Sequence, residues 1–439
     1  MCFNTEARLT IVLRRYVADT GSSNIGVGGF SLADSSSAVP LACESDACQV
    51  CNPYDPNGRC LFAKPFCWPG NQSMCGGSIS YGGSGSYFNG PYITDVVSFG
   101  GFTTRMTFMN MEHAGPDIAL RLAALSRDGA TVNGGTSHAH VPVLWGPAAC
   151  RTATCKQSLS LFGAGCMLSV LRRCIGILGL AHEWNAVNPT YVPSFFHTLV
   201  QEKQVMDLFG LCLTPKNGGN LDLGFSNSSK YTGELAYMNV TQQRWYNVPL
   251  VDIRFNNTSI GMPASSYWFD NDAIGSLIDS GTGVLAFSPA IYSAIIKTLQ
   301  TNFCHIPCAS CLRAACCMKA YPVVFLFVRF VMRACTDVCG DQSKTIFGGY
   351  CLSGSSVGVV GQLPDFQFVF TGADGEEMVL TTPATSYMLE QSGSYCWGVT
   401  SFSGVNAILG DVFMENFYIE HDRANQRLGF APVSSACVE

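Results

Sequence analysis

The sequence predicts an all-β protein of two lobes with a few short helices. Its 439 residues exceed the length of about 250–300 residues at which a single hydrophobic core stops growing, so we expect two lobes. Apolar residues make up 47% of the chain and charged residues 13%, a balance typical of a globular protein and not of a disordered one. Short β-type runs such as VVSFGGF, VPLVDIRF and NFYIEHD alternate with Gly, Ser, Asn and Pro, which is the texture of an all-β chain.

Two segments have the apolar spacing of helices. Residues 193–204 and residues 289–301 each begin with a proline, which is well tolerated in a first helical turn. The longest apolar run, residues 321–332, contains Arg329 and is shorter than the roughly 20 residues that a membrane span requires. We therefore expect no transmembrane segment.

Charge and cysteine content restrict the partners and the compartment. A formal net charge of −6 offers no basic surface for nucleic acid, so we expect no nucleic-acid partner. The 22 cysteines indicate an oxidising environment, and so do five N-x-S/T glycosylation sites at Asn71, Asn227, Asn239, Asn256 and Asn257. We expect a disulfide-bonded glycoprotein of the secretory pathway, either extracellular or in an acidic endosomal, lysosomal or vacuolar lumen. The first residues lack the features of a signal peptide, so we expect the start of the chain to be missing or misassigned.

One short motif carries the chemistry and occurs twice. Asp-(Thr/Ser)-Gly-(Ser/Thr) stands at residues 19–22 and at residues 279–282, each time after an apolar run. It combines a carboxylate at a strand end, a glycine that lets backbone N–H groups approach it, and neighbouring hydroxyls that orient it. A single copy would also fit an ordinary turn. Because an apolar-apolar-Gly segment follows each copy, at residues 177–179 and 408–410, we infer a repeated unit with two carboxylates.

The two copies resemble the catalytic loops of the pepsin-like aspartic proteases, whose active site lies in the cleft between two β lobes. The stretch YTGELAYMNVTQQRWYNVPL and the ending ILGDVFMENFYIEHDRANQRLGFAP resemble this family as well, most closely its β-secretase-like and plasmepsin-like branches. The resemblance implies a pepsin-like acid protease fold and a monomeric aspartic endopeptidase that hydrolyses extended polypeptides without a cofactor or a metal. A catalytically inactive binding or inhibitor protein on the same fold is the alternative.

The resemblance also assigns roles to single residues. Asp19 and Asp279 would hold and activate the hydrolytic water between them. Residues 79–86 resemble the family's flap hairpin, in which Tyr81 would close over bound substrate. The substrate-binding residues implied in this way are Tyr81, Gly21, Gly281, Thr282 and Ser22. The residues implied to support the catalytic pair are Thr20 and Ser280.

Cysteines form an even set between the first motif and the flap, comprising Cys43, Cys48, Cys51, Cys60, Cys67 and Cys75. Disulfides agree with the secretory context and resemble the cysteine-rich insertion of plant and plasmepsin-like relatives. The spacing of Cys48 and Cys51 is also that of a zinc site, which is the alternative. The β-secretase branch implies two further disulfides, Cys212–Cys437 and Cys351–Cys396.

We expect an N-terminal lobe at residues 1–209, with the first aspartate, the flap and the cysteine-rich insertion, and a C-terminal lobe at residues 210–439. Two segments, 105–173 and 304–341, lack strand-like alternation, and either an insertion or translated non-coding sequence accounts for each. Their residues with metal-ligating side chains are His138, His140, Cys150, Cys155, Cys304, Cys308 and Cys311. We assign no metal to them.

Overall fold

Strands dominate the part of the chain that the structure describes, and the all-β prediction is confirmed. The computed structural model describes residues 11–23, 25–28, 30, 32, 35–45, 48, 67–69, 71–80, 87–114, 140–143, 174–182, 192–214, 218–268, 274–303, 345–352, 360–391 and 393–437. The strands before residue 200 are β1 (Ile11–Asp19), β2 (Ile25–Gly28), β3 (Val39–Pro40), β4 (Cys67–Trp68), β5 (Asn71–Ser80), β6 (Tyr87–Phe99), β7 (Phe102–Met111), β8 (His113–Ala114), β9 (His140–Val143) and β10 (Cys174–Gly179).

The later strands are β11 (Leu208–Thr214), β12 (Gly218–Leu223), β13 (Ala236–Asn239), β14 (Tyr246–Asn247), β15 (Leu250–Phe255), β16 (Thr258–Ser259), β17 (Ser276–Ile278), β18 (Leu285–Phe287), β19 (Phe366–Thr371), β20 (Glu377–Thr382), β21 (Met388–Gln391), β22 (Ser394–Trp397), β23 (Val399–Ser401), β24 (Ala407–Leu409), β25 (Phe417–Asp422) and β26 (Arg427–Pro432).

The helices are short, and both predicted helices are present. They are α1 (Phe195–Gln201), α2 (Pro289–Phe303), α3 (Ala384–Tyr387) and α4 (Asp411–Met414), with 3₁₀ turns at Ser228–Lys230, Ala264–Tyr267, Ile346–Gly348 and Ser435–Cys437. Helix α1 begins later than predicted because Ser194 is its N-cap, and the Ser194 hydroxyl accepts the His197 N–H at 3.1 Å. Among the described residues, no helix is long and apolar enough to cross a membrane.

The described strands pair into five sheets. The largest has the order β1-β10-β2-β7-β6-β5-β4, and β3 and β8 also pair with β6. The others have the orders β13-β26-β25-β11-β12-β9, β14-β17-β24-β18-β23, β16-β15-β19-β20 and β21-β22. The predicted boundary between residues 209 and 210 falls inside β11, and the division into two lobes stays a prediction.

The same strand unit occurs once around each Asp motif. Strand β1 is parallel to β10, β10 is antiparallel to β2, and β2 is parallel to β7. In the second unit β17 is parallel to β24, β24 is antiparallel to β18, and β18 is parallel to β23. The apolar-apolar-Gly segments noted in the sequence lie in and after β10 and β24, so each one is the neighbour of an Asp-bearing strand.

One segment is more regular than the sequence suggested. Strand β7 continues through Arg105 to Met111, and Arg105 lies opposite Val96 in β6. Met106 and Phe108 are buried whereas Arg105 is exposed, which is the alternation of a strand with one face in the core. The stretch from residue 105 to Met111 is therefore part of the main sheet. Of the residues with metal-ligating side chains, His140 is the first residue of β9, and those at positions 138, 150, 155 and 304–311 lie outside the described residues.

A histidine is buried in the aromatic part of the core. His421 of β25 has no exposed surface, stacks on Phe209 with ring centroids 4.3 Å apart, and meets the Tyr246 ring edge-on at 4.6 Å. Burial lowers the pKa of His421 to about 3, since the charged imidazolium would lose its hydration, and the nearby His182 and Arg423 act in the same direction. The fold therefore holds this imidazole neutral.

We predict that His421 makes the fold less stable in acid. The folded pKa lies below the unfolded value of 6.5, so the unfolded chain binds the additional proton between these values and the free energy of unfolding falls as the pH falls from about 6.5 to 3. His421→Phe keeps a ring but cannot titrate, so denaturant unfolding at pH 7 and pH 4 should show a weaker pH dependence than in the wild type. Substitution of the exposed His113 is the control and should leave the dependence unchanged. An equally steep loss in His421→Phe would contradict the assignment.

Disulfides join four pairs of described cysteines. They are Cys43–Cys67, Cys48–Cys75, Cys212–Cys437 and Cys351–Cys396. The last two are the pairs that the family resemblance implies. Because the Cys48 sulfur is bonded to Cys75, it is not available to a zinc ion, which favours the disulfide interpretation of this stretch. Cys51 and Cys60 lie outside the described residues.

The Cys212–Cys437 disulfide should be the more stabilising of the two that the resemblance implied. It closes a loop with a sequence separation of 225, against 45 for Cys351–Cys396. On the chain-entropy model, replacing both cysteines of the long loop by alanine should cost about 5.5 kcal/mol, and replacing those of the short loop about 4 kcal/mol. Denaturant unfolding of the two double variants measures this difference. A larger loss from the short loop would contradict the loop-entropy explanation.

Candidate active site

Asp19 stands at the end of β1, where the strand gives way to the first motif loop. It lies opposite Gly179 in the parallel ladder with β10 and is 3% exposed. The Gly21 N–H donates to Asp19 Oδ1 at 2.9 Å, and the Ser22 hydroxyl donates to Oδ2 at 2.5 Å. Both oxygens of this carboxylate therefore have a donor from the loop itself.

Asp279 is held in the same way. It follows β17, is 9% exposed, and its N–H donates to the Leu409 carbonyl at 3.2 Å. The Gly281 N–H donates to Asp279 Oδ1 at 2.7 Å, and the Thr282 hydroxyl donates to Oδ2 at 2.7 Å. The two motif copies thus give the two carboxylates equivalent partners.

Thr20 and Ser280 connect the two loops through reciprocal hydrogen bonds. The Thr20 N–H donates to Ser280 Oγ at 3.1 Å, and the Ser280 N–H donates to Thr20 Oγ1 at 2.9 Å. The Thr20 hydroxyl donates to the Ile278 carbonyl at 3.3 Å, and the Ser280 hydroxyl donates to the Ala18 carbonyl at 2.8 Å. Both side chains are fully buried, so these bonds are shielded from water.

Each motif glycine lies against the carboxylate of the other loop. A Cβ placed on Gly21 would be 2.6 Å from Asp279 Oδ1, and one on Gly281 would be 2.3 Å from Asp19 Oδ1. Real Cβ atoms do not approach oxygens this closely, so glycine is required at both positions. The side chains of Asp19 and Asp279 are themselves in hydrogen-bonding contact.

The structure therefore brings together nearly all of the predicted site residues. They are Asp19, Thr20, Gly21, Ser22, Asp279, Ser280, Gly281 and Thr282. Tyr81 lies outside the described residues. The arms of its hairpin are described, and Ser80 of β5 lies opposite Tyr87 of β6 in an antiparallel ladder.

Backbone N–H groups next to the loops complete the site. The sequence does not predict their hydrogen bonds. The Leu180 N–H donates to the Asp19 carbonyl at 2.8 Å, and the Ala181 N–H donates to the Ser22 carbonyl at 2.9 Å. Both donors directly follow β10. The repeated apolar-apolar-Gly pattern was the only signal for them, since a backbone donor can come from any residue type.

The second loop has a corresponding support. The Asp411 N–H donates to the Thr282 carbonyl at 2.8 Å. A Cβ on Gly410 would be 2.0 Å from that same carbonyl oxygen, so the glycine after β24 permits the close approach.

Burial raises the pKa of Asp279 above its ordinary value of 3.8, because the ionised carboxylate would lose its hydration. Hydrogen bonds from Thr282, Gly281, Asp19 and Gly21 act in the opposite direction but do not cancel the effect of burial. The site therefore retains a proton to higher pH than an isolated aspartate would.

Asp279→Asn should make the protein more stable at neutral pH. A carboxyl with a raised folded pKa contributes full stability below the unfolded pKa of 3.8, and that stability is lost as the pH rises through the folded pKa. The amide cannot ionise, so the variant should unfold at a higher free energy than the wild type at pH 7, and this advantage should shrink below about pH 4. The exposed Asp374→Asn is the control. A stability difference that is identical at pH 7 and pH 3 would contradict the raised pKa.

A family model described as "Eukaryotic aspartyl protease" matches residues 167–433. The chain belongs to this family. The matched residues include the Asp279 loop, whereas the Asp19 loop lies before them. The Asp19 loop stands in the same kind of strand unit as the Asp279 loop, as described above. The predicted resemblance to the pepsin-like aspartic proteases is confirmed.

Individual relatives agree with this family. The chain is similar to cathepsin E of Aquarana catesbeiana, with 27% identity over 59% of this chain and 53% of the relative. It is 27% identical to penicillopepsin-1 of Penicillium janthinellum over 58% of this chain and 62% of the relative. It is 23% identical to beta-secretase of Strongylocentrotus purpuratus over 58% of this chain and 47% of the relative. This aspartyl protease family member thus spans about half the length of the curated relatives it matches.

Proposed function

We propose that the chain is an aspartic endopeptidase with Asp19 and Asp279 as its catalytic pair. The observation that carries the proposal is the contact between two buried carboxylates, each held by an equivalent backbone N–H and hydroxyl. Two carboxylates this close cannot both ionise cheaply, so the pair keeps one proton in mild acid. Aspartic proteases are the standard example of such a shared proton.

The shared proton gives the pair both functions that peptide hydrolysis requires. The ionised carboxylate takes a proton from a bound water, which then attacks the scissile carbonyl carbon. The protonated carboxyl donates to the carbonyl oxygen as the tetrahedral intermediate forms. The proton belongs to the coupled pair, and burial of Asp279 supports its retention.

The surrounding residues have distinct roles in this proposal. Ser22 and Thr282 orient the carboxylates by donating to their outer oxygens, and Gly21 and Gly281 leave space beside the opposite carboxylate. Thr20 and Ser280 hold the loops together. Tyr81, the residue that follows β5 in the sequence, would cover an extended peptide substrate.

We further propose that the protein acts in the oxidising lumen of the secretory pathway. Four disulfides among the described cysteines support this, because disulfides persist in such compartments. The glycosylation sites are compatible with it, since the exposed asparagines of the N-x-S/T motifs include Asn71, Asn239, Asn256 and Asn257.

Asp19→Asn and Asp279→Asn should each lower peptide hydrolysis by at least about a thousandfold, because an amide can neither accept the proton of water nor donate as an acid. The double variant should lose little more, since residues that act as one unit are not additive. The rate of the wild type should follow a bell on the acid side of neutrality, measured with an unstructured polypeptide and product analysis by mass spectrometry.

Two controls make this experiment decisive. Asp374→Asn changes an exposed carboxylate and should leave the rate unchanged. A statine inhibitor, which mimics the tetrahedral intermediate, should block the wild type. A folded protein that binds the statine but hydrolyses no peptide would favour the inactive binding protein, and near-wild-type hydrolysis by Asp279→Asn would overturn the assignment.

A further inference from the structure

A further contact joins the two Asp loops at a distance from the Thr20–Ser280 hydrogen bonds and the glycine–carboxylate contacts. Tyr246 of β14 is 1% exposed, and its hydroxyl donates to the Leu180 carbonyl at 2.6 Å. Leu180 is the residue whose N–H donates to the Asp19 carbonyl at 2.8 Å. One residue therefore lies between the Tyr246 hydroxyl and the first catalytic loop.

The backbone of Tyr246 lies beside the second loop. Strand β14 is antiparallel to β17, and Tyr246 is opposite Ile278, the residue before Asp279. A continuous series of contacts thus runs from Asp279 through Ile278, Tyr246 and Leu180 to Asp19. We call the Tyr246 hydroxyl and the Leu180 carbonyl the Tyr246 link.

We propose that Tyr246 is a positioning residue that controls how closely the two catalytic carboxylates approach. The proposal rests on the proposed function. The hydrogen bonds of Thr20 and Ser280 hold the loops together close to the carboxylates. The attachment at Leu180 lies behind the first loop and restricts rotation of the loops about that cluster, and it is made by a hydroxyl on a rigid aromatic side chain.

The surroundings of the Tyr246 ring keep it in place under acidic conditions. The rings of His182 and His421 pack against the Tyr246 ring with centroid distances of 4.8 and 4.6 Å, and the Phe209 ring lies at 6.0 Å. Because the pKa of His421 is lowered to about 3 by its burial, this imidazole stays neutral through mild acid. Among the described residues, Arg423 also lies near this imidazole, and its Nε is 3.1 Å from Asp207 Oδ1. Protonation of His421 therefore does not disturb the Tyr246 link at the pH where the catalytic pair holds one proton.

Loss of the link should change the chemistry more than substrate binding. The repulsion between two carboxylates separates their two apparent pKa values, and it weakens as they move apart. Without the Tyr246 hydroxyl the pair should separate slightly, so the upper limb of the pH–rate bell should move to lower pH by about 0.5 unit and the bell should narrow. We expect kcat to fall about tenfold, the effect of one buried hydrogen bond, with KM little changed.

The test compares Tyr246→Phe with Tyr387→Phe in the full chain. Tyr387 is a matched control because it is fully buried and its hydroxyl donates to the Pro364 carbonyl at 2.6 Å. Both variants lose one hydroxyl bonded to a backbone carbonyl and should lose similar stability. Referring each kcat to sites titrated with the statine inhibitor removes any effect of misfolded protein.

The expected result is a narrower bell and a lower kcat for Tyr246→Phe alone. Equal effects in both variants, or a rise in KM with kcat unchanged, would overturn the positioning role. The titration of aspartate carboxyl carbons by NMR needs no turnover, and it should show the two apparent pKa values of the pair closer together in Tyr246→Phe than in the wild type. An unchanged separation would overturn the link even if the wild type hydrolysed nothing, a result that would separately defeat the proposed function.

Discussion

The reciprocal hydrogen bonds between Thr20 and Ser280 are the constraint on which the site depends. Each backbone N–H is satisfied by the hydroxyl of the other loop, and each hydroxyl in turn donates to a carbonyl of the opposite strand end. Neither loop could bury its N–H in this way alone, because unpaired buried backbone groups are costly, about 1–3 kcal/mol each. The two motifs therefore stabilise each other before either carboxylate is considered. The contact between Asp19 and Asp279 follows from this arrangement of the two loops.

Burial and hydrogen bonding have opposite effects on the pKa of Asp279, and their balance decides whether the pair holds a proton. The loop donors favour the ionised form of Asp279, whereas its removal from water favours the neutral form more strongly. The site thus gives up stability at neutral pH in order to retain a proton. Such conflict is typical of catalytic centres, where the local environment is unfavourable to one charge state for a functional reason.

The motif-bearing parts of this structure could be predicted from sequence, and the parts that rest on distant contacts could not. The Asp loops were found because carboxylate, glycine and hydroxyl are contiguous in each copy. The sequence predicts a start of α1 at Pro193, whereas Ser194 is the N-cap and the helix begins at Phe195. The sequence does not predict that β7 continues past residue 105, because the segment 105–173 as a whole lacks strand-like alternation. Its first residues nevertheless include the buried Met106 and Phe108. Nothing around Tyr246 indicated its hydroxyl's partner, which lies 66 positions earlier at Leu180.

The close approach of each glycine to the opposite carboxylate has a consequence for pieces of this chain. A fragment restricted to residues 167–433, the span of the family match, would contain Asp279 with its own donors Gly281 and Thr282. It would lack the Gly21 N–H, the Thr20 hydroxyl and the Asp19 carboxyl that surround Asp279 in the whole chain. In such a fragment the Asp279 carboxyl would therefore have a different chemical environment, and the proposed activity requires both Asp loops.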